Sequence, residues 1–214
     1  MKTKEDAVEL SKIMVNIGED FKRKVVAVIT DMDSPLGSAV GNSLEVIESV
    51  EILKGKTSGN LWTVCRELSC RMLVLAGIGD KDECGRLVDE AVESGEALKR
   101  FEMMVKLQGG DVSYIEDTSK FRKASFNREV YAPADGYITH MDSEKIGLTA
   151  VLLGAGREKK EDNINHAAGI IIAAKAGDFV KRGELLATLF ADNKSRLDGA
   201  ESRYLSAVSI GDKK

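Results

Sequence analysis

The segment Leu153-Gly-Ala-Gly-Arg157 has the residue types best suited to binding an anion. Its two glycines could leave backbone N–H groups open to an oxyanion, and Arg157 could add a planar set of donors. A tight turn that carries a surface arginine accounts for the same residues, and we favour the turn. Nowhere else does a glycine-rich loop lead into a helix with a lysine, serine or threonine placed to hold phosphate.

The other reactive side chains form weaker patterns. His140 and His166 are 26 positions apart with no serine or cysteine signature between them, and two histidines are too few for a histidine-rich metal site. Asp31, Asp33 and Glu45 could supply paired carboxylates, but Glu45 is better explained as a helix cap. The three cysteines contain no C-x-x-C pair, which is typical of free thiols in a cytoplasmic protein.

The composition is that of an ordinary globular protein of 214 residues, with 43% hydrophobic and 31% charged residues. The 31 Lys and Arg against 35 Asp and Glu give a net charge of −4, which argues against binding to a nucleic acid backbone. The apolar run Ala167–Ala174 is far too short to cross a membrane, and the N-terminus lacks the apolar core of a signal peptide. We therefore expect a cytoplasmic protein with neither nucleic acid nor a membrane as partner.

Residues 1–110 are predicted to be mostly helical around a single strand. The strand is the β-branched run Val25–Ile29, which is followed by a loop up to Gly41. Asn42 and Glu45 have the spacing of a capping box at the start of a helix. The predicted helices are 5–17 with a stop at Gly18, 42–54, 61–76, 82–94 and 96–107. The strand needs partners, which lie either in the second half of the chain or outside it.

Residues 127–214 are predicted to form an α+β domain, after a linker at 111–126. Short apolar runs alternate with glycine-containing turns, and a polar helix is expected from residue 192 that frays at Gly211. The predicted strands are Glu129–Ala132, Gly136–Thr139, Ala150–Leu153, Gly169–Ala173 and Leu185–Phe190. The fold class is therefore α/β for the first part and α+β for the second.

Three segments carry distinctive motifs in a fixed order. Ile29–Glu48 contains Thr-Asp-Met-Asp-Ser-Pro-Leu-Gly-Ser-Ala-Val-Gly-Asn, Met104–Asp111 contains Gln-Gly-Gly-Asp, and residues 134–184 contain Leu-Gly-Ala-Gly-Arg and Gly-Asp-Phe-Val-Lys-Arg-Gly-Glu. Together they resemble the pyrimidine-nucleoside phosphorylase and thymidine phosphorylase family. The first resembles its strand-loop-helix, the second its inter-lobe link, and the third its C-terminal domain.

The resemblance implies the C-terminal half of such an enzyme. Family chains are about twice this length, and Met1-Lys2 resembles the end of an internal Gly-Ala-Phe-Met-Lys stretch. Their Lys-x-Ser-Thr-Gly-Gly phosphate loop and the Arg, Ser and Lys that hold the base have no counterpart here. The implied reaction is the reversible phosphorolysis of pyrimidine nucleosides to free base and pentose 1-phosphate. We expect this chain to be inactive alone, and to pair with an N-terminal half or with itself.

The same resemblance implies a monovalent cation site, most simply for potassium, and no organic cofactor. Leu36 and Ala39 would offer backbone carbonyls and Glu48 a carboxylate, which are oxygen ligands suited to a hard cation. The remaining family ligands would lie upstream of Met1. The alternative is that Glu48 is a solvated helix residue and that the loop merely turns.

Two other classes of function, a carrier domain and a non-enzymatic interaction domain, remain open at this point. Ala176–Lys194 resembles half of a lipoyl or biotinyl carrier domain, in which a lysine stands at the tip of a hairpin. Asn193 takes that position here and Lys194 is one residue late, a shift that turns a side chain to the other face. A non-enzymatic interaction domain is the other alternative.

Overall fold

Helices dominate the first 120 residues and short strands dominate the rest. The computed structural model describes residues 3–157 and 159–212. The helices are α1 Lys4–Asp20, α2 Asn42–Leu53, α3 Gly59–Leu75, α4 Lys81–Glu93, α5 Glu96–Leu107, α6 Ser113–Glu116, α7 Ser143–Leu153 and α8 Ser195–Ala207, with a 3-10 turn at Thr118–Lys120. The strands are β1 Ala39–Val40, β2 Phe126–Tyr131, β3 Gly136–Met141, β4 Gly169–Ile172, β5 Phe179–Val180, β6 Leu185–Ala191 and β7 Val208–Gly211.

The strands form two antiparallel sheets. One has four strands in the order β1-β4-β6-β2, and the other has three in the order β5-β3-β7. Of the residues described before 111, only Ala39 and Val40 join a sheet, where they pair with Ile171 and Ile170 of β4. A mixed fold with antiparallel sheets confirms the expected α+β character. No helix within the described ranges is both long and apolar enough to cross a membrane.

The hydrophobic core belongs to the second half of the chain. Its buried cluster runs from Val130 to Ala207, and it fills the space between the sheets and helices α7 and α8. Helices α1 and α5 have no buried residue along their described lengths. The two halves are therefore very unequally packed, since the first has many helices but little core.

The predicted strand at Val25–Ile29 is wrong. These residues adopt no regular secondary structure, and Val26 and Ile29 are 44% and 43% exposed. A strand is stable only when its backbone groups pair with a neighbour, and no described strand pairs with these residues. Helix α1 also continues past the predicted stop to Asp20, and a Cβ at Gly18 would collide with the Val25 side chain.

The predicted strand at Ala150–Leu153 is wrong as well, because these residues form the last turn of α7. Ile146, Ala150 and Leu153 are buried at helical spacing, and Asp142 caps the helix by accepting a bond from the Lys145 N–H at 3.0 Å. A four-residue apolar run suits either element when it is considered alone. The cap upstream is what makes it helical.

The expected helix from residue 192 ends earlier than predicted. It stops at Ala207, and Val208–Gly211 forms strand β7 against β3. Asn193 and Lys194 lie in the turn between β6 and α8, where the Asn193 Oδ1 accepts the Ser195 N–H at 3.0 Å. They are not at a hairpin tip, which removes the geometry that a carrier lysine requires.

The start of α2 differs by one residue from the predicted capping box. Gly41 is the N-cap, and the Glu45 Oε1 accepts its N–H at 2.9 Å. Asn42 is the first helical residue, and its side-chain N–H donates to the Ala155 carbonyl at 3.0 Å. The predicted capping asparagine therefore ties α2 to the turn after α7.

Candidate metal centre

Glu48 is held against the loop that precedes β1. From the second turn of α2, its Oε1 accepts the Ser38 N–H at 2.7 Å and its Oε2 accepts the Ala39 N–H at 3.0 Å. Gly37 permits this close approach, because a Cβ there would stand 2.5 Å from Oε2. The carboxylate is thus a fixed part of the loop and not a solvated helix side chain.

Strand β4 fixes the other side of the loop. The Ile172 N–H donates to the Ser38 carbonyl at 2.7 Å, and Ala39 stands opposite Ile171. Hydrogen-bonded and non-bonded pairs alternate along an antiparallel ladder. The N–H and the carbonyl of Ala39 therefore both point away from β4. The N–H binds Glu48, and the carbonyl is left available to a ligand.

Lys175 brings a positive charge to the same loop from the second half of the chain. Its Nζ donates to the Leu36 carbonyl at 2.9 Å and lies 3.4 Å from the Pro35 carbonyl. A tight turn holds the lysine backbone, since its N–H donates to Asp178 at 2.8 Å and the Asp178 N–H returns a bond to its carbonyl at 3.0 Å. Sequence reasoning missed this contact, because 139 positions separate Lys175 from Leu36.

The electrostatic surroundings of Lys175 are mixed. Burial lowers the pKa of its ammonium group, and the negative charges of Glu48 and Asp178 oppose that change. Leu36, Glu48 and Lys175 line one cleft of about 220 Å³ between the loop, α2 and the start of α3. The structure thus brings Leu36 and Glu48 to one cleft, whereas Ala39 does not line it and contacts Glu48 through its N–H.

These donors suit a monovalent cation. They are backbone carbonyls and one carboxylate, all oxygen, and a lysine ammonium already stands on one of the carbonyls. An ammonium carries the same single charge as potassium and is of similar size, and the Lys175 ammonium contacts the Leu36 carbonyl directly. Among the described residues no three His, Cys, Asp or Glu side chains cluster as a transition-metal site would require.

The anion candidate at residues 153–157 is a turn. The N–H groups of Gly154 and Ala155 donate to the Val151 and Ala150 carbonyls at 2.9 Å, which closes the end of α7. Arg157 is exposed. Because the Gly154 and Ala155 amides already have partners, they are not open to a phosphate, which agrees with the turn favoured from the sequence.

Comparisons with known proteins agree with the resemblance in the sequence. Residues 137–211 match the family model of the pyrimidine nucleoside phosphorylase C-terminal domain. The chain is similar to the pyrimidine-nucleoside phosphorylase of Bacillus subtilis (strain 168), with 43% identity over 211 residues that cover 98% of this chain and 48% of the relative. It is also similar to that of Staphylococcus aureus (strain USA300), with 39% identity over 213 residues, 99% of this chain and 49% of the relative. The chain spans about half the length of the curated relatives it matches.

Proposed function

Because this chain belongs to the pyrimidine-nucleoside phosphorylase family, we propose that it supplies the C-terminal half of an enzyme that cleaves pyrimidine nucleosides with phosphate. The products are the free base and a pentose 1-phosphate, and the reaction is reversible. The phosphate loop and the base-binding residues belong to the other half of the enzyme. This chain contributes scaffold, the link between lobes and part of a cation site.

The observation that carries the proposal is the large surface that the chain exposes. Its solvent-accessible area is 13534 Å² for 23.2 kDa. A compact monomer of this mass exposes about 9,700 Å² by the usual scaling, so roughly 3,800 Å² is in excess. An obligate interface takes about 1,000–2,500 Å² from each partner, so the excess is large enough for this chain to share such an interface.

Much of the excess is apolar and lies in the first half of the chain. One stripe of α1 exposes Leu10, Ile13, Met14, Ile17 and Phe21 at helical spacing. Leu68 and Met72 of α3 are also exposed. Contiguous apolar patches of this kind mark interfaces, and we assign this one to the half of the phosphorylase that this sequence does not match.

The domain description is part of the same proposal. Residues 1–110 are part of an α/β lobe, 111–126 the link, and 127–214 the C-terminal domain, in which the strands are arranged as a carrier-like half-barrel without a carrier lysine. A cytoplasmic location belongs to the proposal too, and the three cysteines left as free thiols support it.

We expect a one-to-one complex when this chain is co-expressed with the unmatched part of the Bacillus subtilis relative. The apolar stripe of α1 should be buried in it, and alone it should drive self-association. Ile13 is 49% exposed here, so Ile13→Asp should leave the chain folded but weaken the complex at least ten-fold, because a charge is buried on assembly. Sedimentation velocity measures both the one-to-one complex and the self-association of the isolated chain.

Asn16→Asp is the matched control, since it adds the same charge at an exposed position of α1 that is not part of the apolar stripe. Asn16→Asp should bind the added half as tightly as the unchanged chain does. A monomer that ignores the added half, or equal weakening by both variants, would contradict the proposed interface.

Leu36, Ala39 and Glu48 are proposed to hold a monovalent cation, with potassium as the first candidate. A bound cation adds one positive charge beside the Glu48 carboxylate and steadies the loop before β1. Potassium at 100 mM should therefore raise the melting temperature by about 1–3 °C over tetramethylammonium of equal ionic strength. Glu48→Gln should abolish this difference, because it removes the charge while keeping the side-chain length.

Glu51→Gln is the control for the cation experiment. Glu51 lines the same cleft but pairs with the exposed Lys56. It should retain the full potassium effect. An unchanged melting temperature in the two salts would rule out the cation site in this chain.

A further inference from the structure

Lys175 and the proposed cation make use of the same carbonyl oxygen. The lysine Nζ lies 2.9 Å from the Leu36 oxygen, which is one of the two carbonyls assigned to the cation. Lys175 also lines the cleft together with Leu36 and Glu48. The Lys175 ammonium therefore compensates the partial negative charge of the Leu36 carbonyl, and it does so from within the chain.

Two positive charges on this one carbonyl would repel each other. The cleft is small, about 220 Å³, and Glu48 lines it with both of its oxygens fixed on the Ser38 and Ala39 N–H groups. Its position is determined by the loop, so it cannot move to neutralise a second cation. Glu51, the other lining carboxylate, pairs with Lys56, and Asp178 accepts the Lys175 N–H, so these carboxylates already have partners within the chain.

We propose that Lys175 is a tethered cation that competes with free potassium for the Leu36 carbonyl. With the lysine in place, the turn at 175–178 is attached to the loop of the first half of the chain. With potassium in place, Lys175 is released to solvent. The site therefore couples potassium binding to a contact between the two halves of the chain. This inference rests on the proposed cation site.

The contact also has a clear geometric basis on the lysine side. Gly177 donates its N–H to the Ile138 carbonyl at 2.8 Å, so the 175–178 turn is anchored on β3 of the C-terminal core. Asp178 holds the Lys175 N–H, which fixes where the side chain begins. An ammonium carried by an anchored turn is a preorganised ligand, and free potassium must displace it.

The test is a potassium titration followed by melting temperature, at constant ionic strength set with tetramethylammonium chloride. Lys175→Met should lower the potassium concentration at half-effect at least ten-fold relative to the unchanged chain, because the competitor is gone. It should also lower the melting temperature without potassium, and saturating potassium should restore that loss. Lys181→Met, an exposed lysine of the same domain, is the control and should behave as the unchanged chain.

Lys175→Gln provides a second, polar variant in case the methionine variant does not fold. The double variant Lys175→Met with Glu48→Gln should show no potassium effect. If both the unchanged chain and Lys175→Met respond at the same concentration, the cation site stands and the competition is wrong. If neither responds, both the cation site and the competition are wrong.

Discussion

The purified chain should release no free base from uridine or thymidine above a blank, even at saturating phosphate. Phosphorolysis requires groups that hold a phosphate dianion below the sugar and that stabilise negative charge on the departing base. Removing one such donor typically costs about 10²–10³ in rate, and no segment of this sequence resembles the family's phosphate loop or base-binding residues. Chromatographic detection of uracil or thymine measures the outcome.

Activity should appear when the chain is co-expressed with the unmatched half of the Bacillus subtilis relative, since that half brings the missing groups. The Ile13→Asp chain should fail to restore it at concentrations where Asn16→Asp succeeds. Phosphate-dependent turnover by the chain alone would overturn the proposed division of function between the halves.

Gly169→Val should unfold the junction between the loop, α2 and β4. Gly169 and Gly41 face each other there with φ values of 152° and 146°, a region that only glycine adopts easily. A Cβ at Gly169 would collide with the Val40 carbonyl oxygen and stand 3.0 Å from the Gly41 Cα. Strain and overpacking together should cost about 3–5 kcal/mol, measured by urea unfolding.

The loss of stability in Gly169→Val should be largest at the loop before β1. Hydrogen exchange at the Ile172 amide should accelerate, because its bond to the Ser38 carbonyl depends on this pairing, and the potassium effect should vanish. Gly147→Ala is the control, since Gly147 lies inside α7 with open space around its Cα. It should stabilise the chain by about 0.5–1 kcal/mol. Equal stability of Gly169→Val and the unchanged chain would contradict the described packing.

Local sequence was sufficient for most helices. Helices α2 to α5 lie within a few residues of their predicted bounds, because periodic apolar positions and caps such as Asp80 act over one or two turns. The ordered motifs also identified the family, since they are distinctive even without a structure. The α+β character of the second half followed from its short runs and glycine turns.

The strands show where local information ends. Val25–Ile29 has the composition of a strand, but pairing depends on a neighbour that residues 3–157 and 159–212 do not provide. Ala150–Leu153 has the same composition and became helix, because Asp142 caps the segment from upstream. Propensity in such short runs is weak and the surroundings decide between the two outcomes.

For the candidate cation site too, sequence supplied one part of the description and the tertiary structure supplied the other. The resemblance in the sequence predicted that Leu36, Ala39 and Glu48 belong together, since they lie within 13 consecutive residues that resemble one family segment. Only the tertiary structure could show that Glu48 is held by the loop amides and that Lys175, 139 positions away from Leu36, reaches the same carbonyl. The reason is physical, since β4 docks on β1 through long-range pairing, and that docking carries the 175–178 turn to the loop.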